Sequence, residues 1–194
     1  MINKLIMNII EETLISNLER FNLLDKKLVI GLSGGSDSTA LIIALKQIQK
    51  IIPDLYFEAF HVNYGIRKES DKDEKFVKYL CDRLNIKLII KNIKNENLKL
   101  KSDSENELRK IRYQLMSKYI IKSEAHCLLT AHNLNDHIET FLMKLSRGTG
   151  LKGMEGINDY SILEDFEELK IYRPFIKIKK EDLLEYCLIN NEKK

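Results

Sequence analysis

The chain has 194 residues, 44% of them hydrophobic, with a formal net charge of +3. That is enough for one well-buried domain, or one domain with a small appendage. No apolar run approaches the ~20 residues that cross a bilayer, and MINKLIMNIIEETL has the interrupted periodicity of an amphipathic helix rather than a secretion signal. Cytoplasmic localisation with no membrane partner is therefore expected. Cys81, Cys127 and Cys187 are isolated and odd in number, which gives no support to a disulfide framework, a structural zinc site or a redox pair. Lys91–Lys122 carries nine Lys/Arg against four Asp/Glu, and Lys170–Lys194 seven against four. Two basic stretches in a nearly neutral chain suit contact with a polyanion, and a lysine-rich solvated surface equally.

In chain order, residues 3–21 read as a first helix. Lys27–Leu32 is an apolar run too continuous for a half-exposed strand and suits a central parallel one. Ser36–Ile51 reads as a helix ended by Pro53-Asp54, and Leu55–Val62 as a second strand, so the pair needs a right-handed crossover. Ser70 is placed to cap a helix running to Leu84, followed by a strand over Ile86–Ile93 and a loop over Asn95–Asp103. Ser104–Tyr119 is helical, with Arg109 and Arg112 three apart on its surface. Cys127–Ala131 reads as a fourth strand that delivers His132, Asn133, Asn135 and Asp136 to the start of a helix over Asp136–Ser146. A glycine-rich segment follows from Arg147, then a polar stretch, Asn158–Glu168, with no core pattern. Leu169–Arg173 reads as a fifth strand and Lys179–Ile189 as a last helix. The expected fold class is α/β, an open parallel sheet of about five strands with helices on both faces.

Three polar clusters then fall at the C-terminal ends of strands, where open α/β sheets bind ligands. The first is Ser33-Gly34-Gly35-Ser36-Asp37-Ser38. Its glycines permit close backbone approach, the helix N-terminus offers unpaired N–H groups to an anion, and the serines add hydroxyls. Asp37 would repel phosphate unless a cation lies between them, which points to a nucleotide with magnesium. A tight turn with a serine cap would account for the glycines alone. The second cluster is His61–Arg67, and the third is His132–Asp136 with Glu139. Asp37 and Asp136 suit a hard cation bound through oxygen, while an aspartate in a helix's first turn is also favoured by the dipole. His61 and His132 suit base edges, phosphate or satisfied core positions. Arg147, beside flexible glycines, suits closure on developing charge and equally a helix C-terminus.

These motifs carry a resemblance. SGGSDS is similar to the SGGxDS loop of the N-type ATP pyrophosphatases, and HVNYGIRKESDKDEKFV, SENELRKIRYQLM, TAHNLNDHIETFLMKLSRGTGLKGMEGI and YRPFIKIKKEDLLEY follow in the order found in tRNA(Ile)-lysidine synthetases. The resemblance covers nearly all of residues 25–187. It implies a Rossmann-like, adenine nucleotide alpha hydrolase-like PP-loop domain over residues 1–194, without the C-terminal tRNA-binding domains the family usually carries. It implies ATP and Mg2+ as cofactors. The implied partners are tRNA(Ile) with a CAU anticodon, free L-lysine, and a homodimer or separate C-terminal module.

The implied reaction is ligation of lysine to C2 of the wobble cytidine through an adenylated tRNA, releasing AMP and pyrophosphate. By the same resemblance Ser33, Gly34, Gly35, Ser36 and Ser38 take the pyrophosphate. Asp37 and Asp136 take magnesium, His132 and Arg147 serve the reacting end, and His61, Asn63 and Arg67 position the nucleotide. Arg112 and Glu139 bind substrate. Tyr64 stands where the family pattern has histidine, and Asn133 and Asn135 replace a histidine and an aspartate in AHHxDD. The alternatives are a sulfur-transferring tRNA ATP pyrophosphatase, against which the isolated cysteines speak, and a nucleotide-binding module without its own catalysis.

Overall fold

The computed structural model describes residues 7–65, 68–96, 104–148 and 155–190. Its first helix, α1, is Ile9–Arg20. Asn8 caps it, its side chain accepting from Ile10 N at 2.9 Å while Glu11 accepts from Asn8 N at 3.3 Å. Ile10, Leu14 and Leu18 recur every fourth residue and form its buried stripe. Next come β1 (Lys27–Gly31), α2 (Ser36–Gln49), β2 (Tyr56–Asn63), α3 (Lys68–Leu84), β3 (Leu88–Asn92) and a 3-10 turn over Ile93–Glu96. The remainder is α4 (Glu105–Lys122), β4 (Cys127–Leu129), α5 (Leu134–Ser146), β5 (Tyr160–Leu163), a 3-10 turn over Glu164–Phe166, β6 (Leu169–Tyr172) and α6 (Lys180–Ile189).

The strands form one sheet in the order β3-β2-β1-β4-β6-β5. All neighbours pair in parallel except β5 with β6, which is antiparallel. Side chains alternate between two cores. Leu28, Ile30, Phe57, Ala59, Cys127 and Leu129 face one core with α1, α2 and α6, and Val29, Phe60, Val62, Leu128 and Ile171 face the other with α4. The central strands are buried on both sides, as their continuous apolar runs require. α2 is packed from Ser38 to Leu45 and again at Ile48.

The expected parallel α/β sheet is present, with three corrections. Asn158–Glu168 is not coreless: it holds β5, an antiparallel edge strand, and the turn whose Phe166 packs against the α4-side core. α3 begins at Lys68, so Ser70 lies inside the first turn rather than capping it. α5 begins at Leu134, two residues earlier than expected, because Asn133 rather than the residues after it provides the cap. The Asn95–Asp103 loop is outside the described residues except where the 3-10 turn covers its first two positions. No described helix is long and apolar enough to cross a membrane.

Candidate active site

Strand order reverses between β1 and β4, and the loops leaving these two neighbours carry the first and third polar clusters. Open α/β sheets take ligands in the crevice at such a switch point. A cleft of about 430 Å³ opens here, within the range of small-molecule sites. Its walls include Ser33, Asp37, Ser38, His61, Asn63, Tyr64, Asp73, Arg112, Tyr113, Thr130, His132 and Asp136.

The β1–α2 loop is shaped by its own polar atoms. Ser38 Oγ accepts from Ser33 N at 3.2 Å, lies 3.0 Å from Ser33 Oγ and donates to Gly35 O at 3.1 Å; Ser33 Oγ in turn accepts from Gly35 N at 3.2 Å. Gly35 caps α2 with no side-chain bond, which leaves the helix's first-turn N–H groups to be met by a ligand. His61 Nδ1 donates to Leu32 O at 2.8 Å, tying the loop to β2 and fixing that ring proton.

Gly34 adopts φ +88°, and a Cβ there would lie 3.3 Å from Val77 Cγ2 and 3.5 Å from Asp73 Cβ. Gly34→Ala is therefore expected to cost about 1–3 kcal/mol through backbone strain, read by urea unfolding. Nucleotide affinity should fall with it, because the loop cannot keep its shape.

Asp37 is the first-turn acid of α2. Its Oδ1 accepts from Ser36 Oγ at 3.1 Å and its Oδ2 from Asn133 Nδ2 at 3.2 Å. Burial, and next to it the neighbouring Asp136, lift the Asp37 carboxyl above the ordinary range despite opposing pulls from Ser36, Lys180 and Asn133. Asp136 Oδ2 accepts from Asn133 N at 2.9 Å. A lifted, like-charge-coupled carboxyl facing a second one is an arrangement that a bound cation would relieve. Among the described residues there is no cluster of three or more metal-ligating side chains, so a cation here would need phosphate oxygens to complete its shell. That donor set, one or two carboxylates plus phosphates, fits magnesium.

His132 rests against Thr130, Nδ1 to Oγ1 2.8 Å. Burial, then the charges of Arg173, Arg109 and Arg112, push its pKa down to about 3, so the ring is neutral at physiological pH and acts as a hydrogen-bonding group rather than an imidazolium acid. The guanidinium groups of Arg109 and Arg112 lie 4.8 and 5.4 Å from the centre of the Tyr113 ring. Arg173 is 4% exposed and donates to Asn158 O and Ser161 Oγ.

The structure thus gathers Ser33, Asp37, Ser38, His61, Asn63, Arg112, His132 and Asp136 around one cleft, while Gly34, Gly35 and Ser36 complete the loop behind its wall. The Asn63 amide is occupied, donating to Glu74 Oε2 at 2.6 Å and accepting from Gly65 N at 2.8 Å, so it organises the turn after β2. Glu139 and Arg147 are exposed and do not line the cleft; Arg147 is the C-cap of α5. Arg67 lies outside the described residues. Thr130, Asp73, Tyr113 and Arg173 carry no expectation as site residues from the sequence; Asn133 stands in the expected third cluster, and its further role as the cap of α5 is signalled by the Asn-x-x-Asp spacing before an apolar run. His137 is structural: its ring accepts no role in the cleft but bonds Ile157 O at 2.9 Å and fills the space beside Gly156.

The PP-loop domain family matches residues 8–193 of the chain. The tRNA(Ile)-lysidine synthase of Clostridioides difficile (strain 630) is 36% identical over 185 residues, covering 91% of this chain and 38% of that protein. The synthase of the same name from Mycoplasma mycoides subsp. mycoides is 38% identical over 165 residues, covering 85% and 39%. The chain therefore spans about two-fifths of the length of these relatives. Among solved structures, the tRNA thiolase NcsA of Methanococcus maripaludis superposes with a TM-score of 0.78 at 23% identity, over 95% of this chain and 64% of that one. The NH3-dependent NAD synthetase of Campylobacter jejuni gives a TM-score of 0.60 at 19% identity, over 95% and 74%. At these identities the two structures speak for the fold.

Proposed function

Because this chain belongs to the PP-loop domain family, we propose that it performs the ATP-dependent chemistry of a tRNA(Ile)-lysidine synthase. The substrates would be ATP, free L-lysine and tRNA(Ile) with a CAU anticodon. The C2 oxygen of the wobble cytidine attacks the α-phosphorus of ATP, and the bond to the β-phosphate breaks to release pyrophosphate. The amino group of lysine then attacks C2, the C2–O bond breaks, AMP departs with that oxygen, and the nitrogen loses a proton. Activation is needed because the C2 oxygen is a poor leaving group until it carries the adenylate.

The observation that carries this reading is the facing of the Ser33–Ser38 loop and Asp136 across the strand-order reversal. The loop's amides and hydroxyls would hold the charge of the departing pyrophosphate. Magnesium, when bound, would neutralise phosphate charge there, held by Asp37 and Asp136. Neutral His132 would orient a polar group of the substrate, and Arg112 would meet an anionic one. Asn63 and His61 would support the nucleotide side. The basic stretch through α4 and a second copy or a separate module would help hold the tRNA. The cytoplasm is where these substrates meet.

Sulfur transfer is the less favoured reading. Cys81, Cys127 and Cys187 are buried, outside the cleft wall, and burial pushes their thiols up to about 12, 12 and 11, which disfavours reactive thiolates. Incubation with labelled lysine, ATP, magnesium and an unmodified CAU tRNA(Ile) transcript is expected to place label in the tRNA. Nucleotide binding without incorporation would leave only a binding module.

A further inference from the structure

Asn133 is fully buried at the N-cap of α5. Its Oδ1 accepts from Asn135 N at 2.8 Å and Asp136 N at 3.2 Å. Two backbone donors require a carbonyl oxygen on that side, so the amide cannot be flipped, and its Nδ2 is left facing Asp37 Oδ2 at 3.2 Å. The Asn133 backbone N–H meanwhile donates to Asp136 Oδ2 at 2.9 Å. One residue therefore bonds both carboxylates, one on each side of the strand-order reversal.

We infer that Asn133 is a positioning residue that sets Asp37 and Asp136 relative to each other and thereby sets how much magnesium the nucleotide site requires. The inference rests on the ATP reading above. The chemistry suits the task. A neutral amide adds no charge between two acids, and each of these two oxygens accepts one bond from Asn133, leaving the carboxylates lone pairs for a cation. Because the same side chain closes the cap of α5, any slack in the helix start would be passed to both acids. The helix therefore serves as the ruler for their separation.

The capping role and the positioning role separate by substitution. Serine and aspartate are good N-caps, so Asn133→Ser and Asn133→Asp preserve the helix start. The shorter serine side chain places no donor where the Asn133 amide nitrogen meets Asp37, and ionised aspartate has no donor and adds a third negative charge. Binding of a non-hydrolysable ATP analogue to the full chain is measured by calorimetry while magnesium is varied, beside thermal unfolding of each variant. Wild type and Asn133→Ser should bind the metal-free analogue equally. The magnesium concentration giving half of the affinity gain should rise ~10-fold or more in Asn133→Ser, as for residues that orient metal ligands, and further in Asn133→Asp. A magnesium midpoint in Asn133→Ser equal to wild type would overturn the inference and leave Asn133 as a cap. A wild type that binds no analogue at any magnesium concentration would overturn the ATP reading itself, and the inference with it.

Discussion

Replacing Asp37 by asparagine is expected to lower the ATP-dependent adenylation rate by ~10²–10³-fold, the scale for loss of one preorganised charge-stabilising group, while thermal stability stays level or rises. The second half of this expectation separates a functional acid from a structural one. Burial and Asp136 hold the Asp37 carboxyl above its ordinary range. A carboxyl whose folded pKa is raised destabilises the folded state once pH exceeds the unfolded value, so its ionised form is a liability at neutral pH. Asparagine removes that liability and can keep both bonds, its oxygen accepting from Asn133 Nδ2 and its amide donating to Ser36 Oγ. Rate and melting temperature measured together check the point: a fall in both would mark Asp37 as a packing residue, and an unchanged rate would remove it from the chemistry.

Glu58 is the opposite case, and its effect is on stability. Its carboxylate is fully buried in β2, at the end of the sheet away from the cleft. Oε1 accepts from Lys87 Nζ and Tyr56 OH, both at 2.8 Å, Oε2 accepts from Tyr119 OH at 2.5 Å, and Lys27 Nζ lies 3.6 Å away. Burial alone would raise the carboxyl, but the bonds from Lys87, Tyr119 and Tyr56 with the Lys27 charge outweigh it, bringing the pKa down from 4.5 to about 2. For a depressed carboxyl the stabilisation is complete above the unfolded pKa and is lost as pH falls toward the folded one. The shift corresponds to about 3 kcal/mol at neutral pH. Urea unfolding of wild type and Glu58→Gln should differ by about this amount at pH 7, with the gap narrowing as pH is lowered from 5 to 3. A gap that is constant with pH would contradict the ionic origin. Glu58→Ala, which also removes the acceptor for Tyr56 OH and Tyr119 OH, should cost at least as much as Glu58→Gln.

What was legible in the sequence was what local chemistry dictates strongly. Leu28, Val29 and Ile30 announce a strand buried on both faces, and Ser33–Ser38 announces an anion loop before a helix; both are present, within a residue or two at the strand end. β5 was not legible because an edge strand pairs on one side only. Tyr160–Leu163 is short, partly exposed and set among charged residues, so no buried run marks it. α5 starts at Leu134 rather than at the expected Asp136 because the Asn133 side chain accepts from Asn135 N and Asp136 N, which draws both residues into the first turn. Arg173 was read only as the end of a strand, since nothing in its neighbours shows that it would lie buried near His132 and lower its basicity. Glu139 and Arg147 matched a motif, but α5 turns both toward solvent, along with Phe141, Leu142 and Leu145. Motif spacing along a helix does not state which face meets the cleft.

The most direct measurement is transfer of label from α-phosphate-labelled ATP to an unmodified CAU tRNA(Ile) transcript with lysine withheld. Label is expected to travel with the tRNA, to require the wobble cytidine, and to be released as AMP when lysine is added. Label found on lysine instead, or ATP cleaved without any labelled tRNA, would contradict adenylation of the RNA at this site.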